Sequence, residues 1–195
     1  MYNTKKRQCF VYSCSKIRRA FVERNAIYLI TGPMASGKST IAELVASSLP
    51  KAVHLRGDIF RRMITSGREE MSANPTEEAI RQLYMRYRMT ADAAAAYYDN
   101  GFSVVMQDNY YGETLPYVCG LLGGRPLYVT VLCPDVDVIR QREANRHKKG
   151  YTGFSPDTLY GEFMLKTPKI GFWLDNSRQT PEESAACILE RFAQP

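Results

Sequence analysis

The chain has 195 residues, of which 45% are hydrophobic and 24% charged, values that suit one globular domain with a hydrophobic core. No apolar run approaches the roughly 20 residues that cross a bilayer, and the charged N-terminus lacks the apolar segment of a secretory signal, which excludes both classes. The net charge of +6 resides in residues 1–25, which hold seven basic residues and one acidic residue. Because the remainder is neutral, a uniformly basic nucleic-acid-binding surface is not indicated.

Residues 1–25 are predicted to be a flexible basic extension, because the first apolar segment begins at residue 26. An arm attracted to RNA or to a membrane is the alternative. A further hypothesis places the natural start at Val22; N-terminal sequencing of the native protein tests it, and a terminus at Met1 rules it out.

The cysteine content favours a reduced environment. Five cysteines form an odd number with no repeated spacing, which predicts free thiols and a cytoplasmic protein. With two histidines and no C-x-x-C pair, a zinc site is not expected.

Five short apolar segments predict strands, at residues 26–31, 51–55, 102–106, 126–132 and 171–174. Helical patterns lie between them and at the end of the chain. Asn74 is predicted to cap the long helix that ends near residue 98, Ser155 to cap a later helix, and Thr180 with Glu183 to form a capping box. Strands that alternate with helices predict an α/β domain with a parallel sheet over residues 26–195.

The first strand leads into the strongest motif of the chain, G-x-x-x-x-G-K-S, and a helical pattern follows. The motif comprises Gly32, Pro33, Met34, Ala35, Ser36, Gly37, Lys38 and Ser39, and Thr40 continues it. In such a phosphate-binding loop, or P-loop, backbone N–H groups surround the phosphates of a nucleotide. Lys38 is predicted to reach the β- and γ-phosphates and Ser39 to hold Mg²⁺, so the sequence predicts nucleoside triphosphate binding.

The remaining segments distinguish among P-loop proteins. A motor ATPase needs a strand that ends in Asp-Glu, but here the third strand is followed by Gln107, Asp108 and Asn109. A switch GTPase needs an Asn-Lys-x-Asp segment, which the sequence lacks. Phosphoryl transfer to a small acceptor remains, and this chemistry needs a carboxylate at the acceptor and cations around the moving phosphoryl group.

Asp58 is the candidate base, because it follows the second strand at the edge where open α/β sheets bind ligands. The alternative is that Asp58 only caps the next helix. Arg61 lies one turn further on and is predicted either to bind the acceptor or to pair with Asp58.

Asp108 follows the third strand and is predicted to hold Mg²⁺ through water or to bind acceptor hydroxyls, with a helix cap as the alternative. Asn109 is predicted to contact the acceptor. For Tyr84 and Tyr87, a place in the core is favoured over a place in the pocket.

A basic segment after the fourth strand has the composition of a lid. Arg140, Arg142 and Arg146 precede a loop bounded by Gly150 and Gly153. We expect Arg142 and Arg146, which share a helix face, to neutralise charge during transfer. A solvated basic helix end is the alternative.

Five segments together resemble the P-loop small-molecule kinases, an AAA-type phosphotransferase group that includes chloramphenicol phosphotransferase. These segments are GPMASGKST, RGDIFRRMI, VVMQDNYYG, VLCPDVDVIRQREANR and GFWLDNSRQTPEES. Shikimate and gluconate kinases are more distant, and their substrate-pocket signatures are not evident, so their substrates are not carried over.

The resemblance implies a three-layer P-loop NTPase fold, with strand order 2-3-1-4-5 and a small helical lid at about residues 142–157. It implies ATP at the P-loop, Asp58 as the base and Arg142 within the lid region. It also implies adenine packing near residues 175–177. The acceptor stays open among antibiotics, nucleosides, sugars and sugar acids.

The sequence therefore predicts a phosphotransferase that uses ATP and Mg²⁺ on a small-molecule hydroxyl, with no membrane or nucleic-acid partner expected and the oligomeric state undetermined. A polynucleotide 5′-kinase is one alternative, because the spacing of Asp58 and Arg61 suits a base and a phosphate-binding arginine. A non-catalytic, nucleotide-binding regulatory module is the other.

Overall fold

Strand β1 lies at the centre of the molecule and continues into the P-loop. The computed structural model describes residues 25–145 and 155–193. In chain order the elements are β1 (Ile27–Thr31), α1 (Lys38–Ser48), β2 (Ala52–Arg56), α2 (Asp58–Arg62), α3 (Glu77–Asp99), β3 (Ser103–Gln107), α4 (Thr114–Leu121), β4 (Leu127–Leu132), α5 (Val136–Ala144), α6 (Pro156–Lys166), β5 (Phe172–Leu174) and α7 (Pro181–Ala193).

The strands in the described ranges form one parallel sheet in the order β2-β3-β1-β4-β5. This confirms the predicted P-loop NTPase fold and strand order, and each predicted strand agrees with the observed one within one residue. Because the strands are parallel, all five carboxyl ends lie along one side of the sheet, called the carboxyl edge below. In register, Arg56 pairs with Gln107, so the segments that follow β2 and β3 leave the sheet side by side.

Helices cover both faces of the sheet. Buried residues of α1 and α7 pack on one face, and buried residues of α3, α4 and α6 pack on the other. Successive residues of β1 alternate between these two cores, with Ile27 and Leu29 in one and Tyr28 and Ile30 in the other. A strand covered on both faces buries every side chain, which explains why β1 and β3 appear in the sequence as continuous apolar runs.

Two of the three predicted helix caps are confirmed, and one is wrong. The Ser155 hydroxyl accepts a hydrogen bond from the Thr158 N–H, and Thr180 and Glu183 exchange the two bonds of a capping box. Helix α3, however, is capped by Thr76, whose hydroxyl accepts from the Ala79 N–H at 3.0 Å, and not by Asn74. Asn and Thr both cap helices, so the local sequence does not distinguish Asn74 from Thr76, which lies two residues further on.

Several predicted segments are outside the described residues. These are residues 1–24 of the basic extension and residues 146–154 of the lid, with Arg146 among them. Among the helices that the structure does describe, none combines the length and the apolar character that spanning a bilayer demands.

Candidate active site at the carboxyl edge

The P-loop connects β1 to α1 at the carboxyl edge, and its first glycine is required by the backbone. Gly32 has φ 147°, and a Cβ there would lie 2.4 Å from the Leu132 carbonyl oxygen of the neighbouring strand β4. Only glycine tolerates both the conformation and this close approach. All nine residues predicted to bind nucleotide, 32–40, form this loop and the first turn of α1.

Lys38 folds back across the loop that it follows. Its Nζ donates hydrogen bonds to the carbonyl oxygens of Gly32 and Pro33, both at 2.8 Å, and only 9% of the residue is exposed. This holds a positive charge beside the loop backbone at the N-terminus of α1, where backbone N–H groups and the helix dipole also favour an anion.

Arg142 and the loop after β5 meet the P-loop at one carbonyl. The Ser36 carbonyl oxygen accepts from Arg142 Nη1 at 3.2 Å and from Asn176 Nδ2 at 2.9 Å, and Arg142 Nη2 donates to the Asn176 carbonyl oxygen at 3.1 Å. Partial burial lowers the pKa of Arg142. A partly desolvated guanidinium attracts an anion more strongly than an exposed one. The structure thus brings Arg142 to the P-loop, as a role in charge neutralisation needs.

Asp58 is the first residue of α2, and Gly57 occupies the cap position. The alternative in which Asp58 caps this helix is therefore wrong. The side chain is 34% exposed at the carboxyl edge, and Arg62 Nη2 donates to its Oδ2 at 2.6 Å. Asp58 is thus accessible to a ligand, and its nearest cation is one turn along the same helix.

Arg61 does not pair with Asp58, which is one of its two predicted roles. Its guanidinium binds both carboxylate oxygens of Glu70, which Arg68 also approaches at 3.3 Å. The predicted pairing with Asp58 is made by Arg62 instead. In a helix, residues i and i+4 lie as close as i and i+3, so spacing alone did not separate the two arginines.

Asp108 is 7% exposed and lies against Arg86 of α3, a residue that no sequence pattern singles out. Asp108 Oδ1 accepts from the Asn109 N–H at 2.7 Å, and Arg86 Nε lies 3.2 Å from Oδ2. Burial by itself lowers the pKa of Arg86, but the negative charge of Asp108, together with the interactions with Tyr87 and Tyr110, raises the pKa overall. Arg86 and Arg88 flank Tyr87 on either side, so the sequence pattern does not distinguish them; only the structure shows that Arg86 is partly buried and Arg88 exposed.

Tyr87 belongs to the core, as favoured. Its hydroxyl donates to the Asn109 carbonyl oxygen at 2.8 Å, and its ring packs edge-on against Tyr110 with centroids 5.0 Å apart. Burial raises the pKa of both tyrosines, so they stay protonated at neutral pH. The two rings therefore fix the loop after β3, in which Asn109 is only partly buried.

A P-loop of this type implies Mg²⁺, and the residues present fit it in part. Ser39 directly follows Lys38 and is partly exposed, so its hydroxyl is available to the ion. Asp108, in contrast, has one oxygen bonded to the Asn109 N–H and the other buried beside Arg86. In the described residues no cluster of three or more His, Cys, Asp or Glu side chains suits a metal. Ser39, together with phosphate oxygens and water, is the set that fits.

The contact between Arg142 and the P-loop leads to a first prediction. Replacing Arg142 with lysine is expected to lower kcat for phosphoryl transfer about 10- to 100-fold, the worth of charged hydrogen bonds that lysine cannot make in the same fork. ATP affinity should change less, because the P-loop retains its own phosphate contacts. Steady-state kinetics beside direct ATP binding measure both.

Arg140→Lys is the matched control for Arg142→Lys. Arg140 lies on the same helix, but it is half-exposed and binds Asp137 and Asp157. Kinetics of this variant should match those of the wild type. A loss of ATP affinity in Arg142→Lys with kcat unchanged contradicts a role in transfer.

The fold and the loop define a protein of the P-loop NTPase class. A family model described as an AAA domain, AAA_33, matches residues 27–159, more than half of the chain, so the chain belongs to this family. No curated protein sequence matches the chain.

Solved structures share the fold. The chain resembles the tunicamycin resistance protein of Deinococcus radiodurans, with 14% identity and a TM-score of 0.66 over 86% of this chain and 95% of that chain. It resembles the APS kinase of Mycobacterium tuberculosis, in complex with AMPPNP and APS, with 18% identity and a TM-score of 0.66 over 86% and 96%. The shikimate kinase of Acinetobacter baumannii, in complex with shikimate, shows 18% identity and a TM-score of 0.65 over 89% and 96%. The predicted likeness to small-molecule kinases is confirmed at the level of the fold.

Proposed function

We propose that this protein is an ATP-dependent phosphotransferase that moves the γ-phosphate of ATP to a hydroxyl group of a small molecule. The observation that carries the proposal is the composition of the carboxyl edge. There, one sheet presents the P-loop with Lys38, an accessible carboxylate at Asp58, and Arg142 in contact with the P-loop. These are the groups that a phosphoryl transfer needs, a cradle for the donor, a base for the acceptor and a cation for the moving group.

The residues divide into a donor half and an acceptor half. In the donor half, residues 32–40 hold the phosphates, Lys38 and Arg142 offset the negative charge that spreads over the transferring group, and Ser39 would hold Mg²⁺. When bound, Mg²⁺ supplies further charge neutralisation at the phosphates. In the acceptor half, Asp58 accepts the proton of the attacking hydroxyl, and Arg61 and Asn109 are the candidates for contacts to the rest of the acceptor.

The fold neighbours support this assignment of halves. The M. tuberculosis APS kinase structure contains AMPPNP together with APS, and the A. baumannii enzyme contains shikimate, so this fold holds a nucleotide beside a small molecule in the first protein and a small molecule in the second. Cys119 and Cys133 are free thiols, which supports the reduced, cytoplasmic setting that we propose with this function.

The test is ATP consumption across a panel of antibiotics, nucleosides, sugars and sugar acids, with the phosphorylated product identified by mass spectrometry. We expect one class to give product and ADP in equal amounts. A 5′-hydroxyl oligonucleotide belongs in the panel. Its phosphorylation, with binding that weakens as salt rises, identifies a polynucleotide kinase instead. ATP binding with flat ADP production for every acceptor identifies a regulatory module and overturns the proposal.

A further inference from the structure

The corner between β2 and α2 rests on the carboxylate of Asp108. A Cβ on Gly57 would lie 2.3 Å from Asp108 Oδ2 and 3.1 Å from its Cβ, so the carboxylate fills the place where a side chain at position 57 would begin. The Gly57 backbone, with φ −60° and ψ −27°, is in a conformation that any residue adopts. Glycine is therefore needed here for space alone, and Asp58 is the next residue.

Three elements meet at this point. The Gly57 N–H donates to the Gln107 carbonyl oxygen at 3.1 Å, which ties the corner to the end of β3. From the other side, Arg86 of α3 faces the same carboxylate, with side chains 12% and 7% exposed. Neither Arg86 Nε nor Asp108 Oδ2 has an aligned hydrogen-bond partner among the described residues, although the two atoms are 3.2 Å apart. The pair is thus held by charge in a desolvated place, where the loss of one partner leaves the other uncompensated.

We propose, resting on the proposed function, that Arg86 and Asp108 are positioning residues whose buried ion pair fixes the Gly57 corner and thereby the place of Asp58. Asp108 then acts through Asp58 and is not itself a ligand of Mg²⁺ or of the acceptor. This differs from the two ligand roles predicted for Asp108 from sequence, both of which need an accessible oxygen.

Asp108→Asn separates these roles, because it keeps the shape of the side chain and removes its charge. A positioning role lowers kcat about 10-fold or more, while the acceptor KM, the ATP Kd and the Mg²⁺ concentration for half-maximal nucleotide binding stay within about 2-fold. An Mg²⁺ requirement that rises about 10-fold in the binding assay shows a metal ligand. An acceptor KM that rises with kcat retained shows an acceptor ligand. Either result overturns the proposal.

Arg86 supplies the second arm of the test. Arg86→Met should lower kcat as much as Asp108→Asn does, and the double variant should lose no more than either single variant, because both changes break one pair. Arg86→Lys, which keeps the cation, should recover part of the rate. Full additivity of the two single losses contradicts a shared role.

Gly57→Ala tests the corner without changing any charge. The added methyl group must displace either the carboxylate or α2, so kcat should fall about 10-fold or more while ATP affinity is retained. Gly120→Ala is the matched control, since Gly120 lies in α4 and a Cβ there meets open space. Equal kinetics for these two variants overturn the proposal.

Hydrogen exchange separates a failed positioning role from a failed kinase assignment. The Met63 and Ile64 amides bond to the Ile59 and Arg61 carbonyl oxygens within and just after α2. Their exchange should speed up about 10-fold in Asp108→Asn and Gly57→Ala, whether or not an acceptor is known. Unchanged exchange overturns the positioning role. A wild-type protein that phosphorylates no acceptor, with exchange altered as expected, overturns the kinase assignment alone.

Discussion

Lys38→Ala is expected to lower the rate of phosphoryl transfer by at least about 100- to 1,000-fold, the loss that follows removal of one preorganised donor from a developing charge. The Lys38 Nζ lies within 2.8 Å of two P-loop carbonyl oxygens, so the ammonium group is held at the mouth of the loop before any phosphate arrives. Its removal takes away a positive charge near the phosphates and also the two hydrogen bonds that hold the P-loop, so ATP affinity should fall too. Transfer kinetics with the acceptor found in the panel, beside ATP binding, measure both.

Lys51→Ala is the control for this loss. Lys51 is exposed before β2, donates to the Asn100 carbonyl oxygen at 3.2 Å and lies over the Phe102 ring, on the side opposite the carboxyl edge. Like Lys38, Lys51 donates to a backbone carbonyl oxygen, but it does not contact the P-loop. The kinetics of Lys51→Ala should therefore match those of the wild type. Near-normal transfer by Lys38→Ala is incompatible with the proposed donor half.

Asp58→Asn is expected to lower kcat by about 10²- to 10⁴-fold, the usual contribution of a general base, and to leave ATP affinity unchanged. Asparagine preserves the size of the side chain but cannot accept the proton of the acceptor hydroxyl. The two halves of the site are thus separable, since Lys38→Ala affects both binding and transfer whereas Asp58→Asn affects transfer alone. Single-turnover rates at saturating ATP and acceptor give the effect on chemistry directly.

The matched control for Asp58→Asn is Asp99→Asn. Asp99 is also an exposed carboxylate paired with an arginine, here Arg125 at 2.7 Å, but it ends α3 ahead of β3 and is remote from the carboxyl edge. Its replacement removes a surface ion pair of little energetic worth, so turnover should be retained.

Arg62→Gln separates the role of the base from that of the ion pair. It removes the partner of Asp58 but keeps the carboxylate, so it should reduce turnover less than Asp58→Asn. Turnover near the wild-type value in Asp58→Asn refutes the base assignment.

The active-site predictions for Lys38 and Asp58 depend on local sequence. The P-loop is contiguous, so its chemistry and its place between a strand and a helix are visible in nine residues. Asp58 was found because it directly follows a strand, and the carboxyl ends of parallel strands meet along one edge. The sequence does not distinguish Arg62 from Arg61 as the partner of Asp58, or Thr76 from Asn74 as the helix cap. In each case a nearby residue that can make the same contact has an equivalent spacing.

The sequence by itself determined the P-loop, the five strands and the alternation that requires a parallel sheet, because these are properties of short segments. The strand order follows from the family resemblance and not from any sequence pattern, because an apolar run does not indicate which other strands it pairs with in the sheet. Only the tertiary structure joined Arg142 and Asn176 to Ser36, across 106 and 140 residues, and Arg86 to Asp108. Such contacts depend on how helices pack on the sheet, and that packing is set by the summed burial of many side chains distributed along the whole chain.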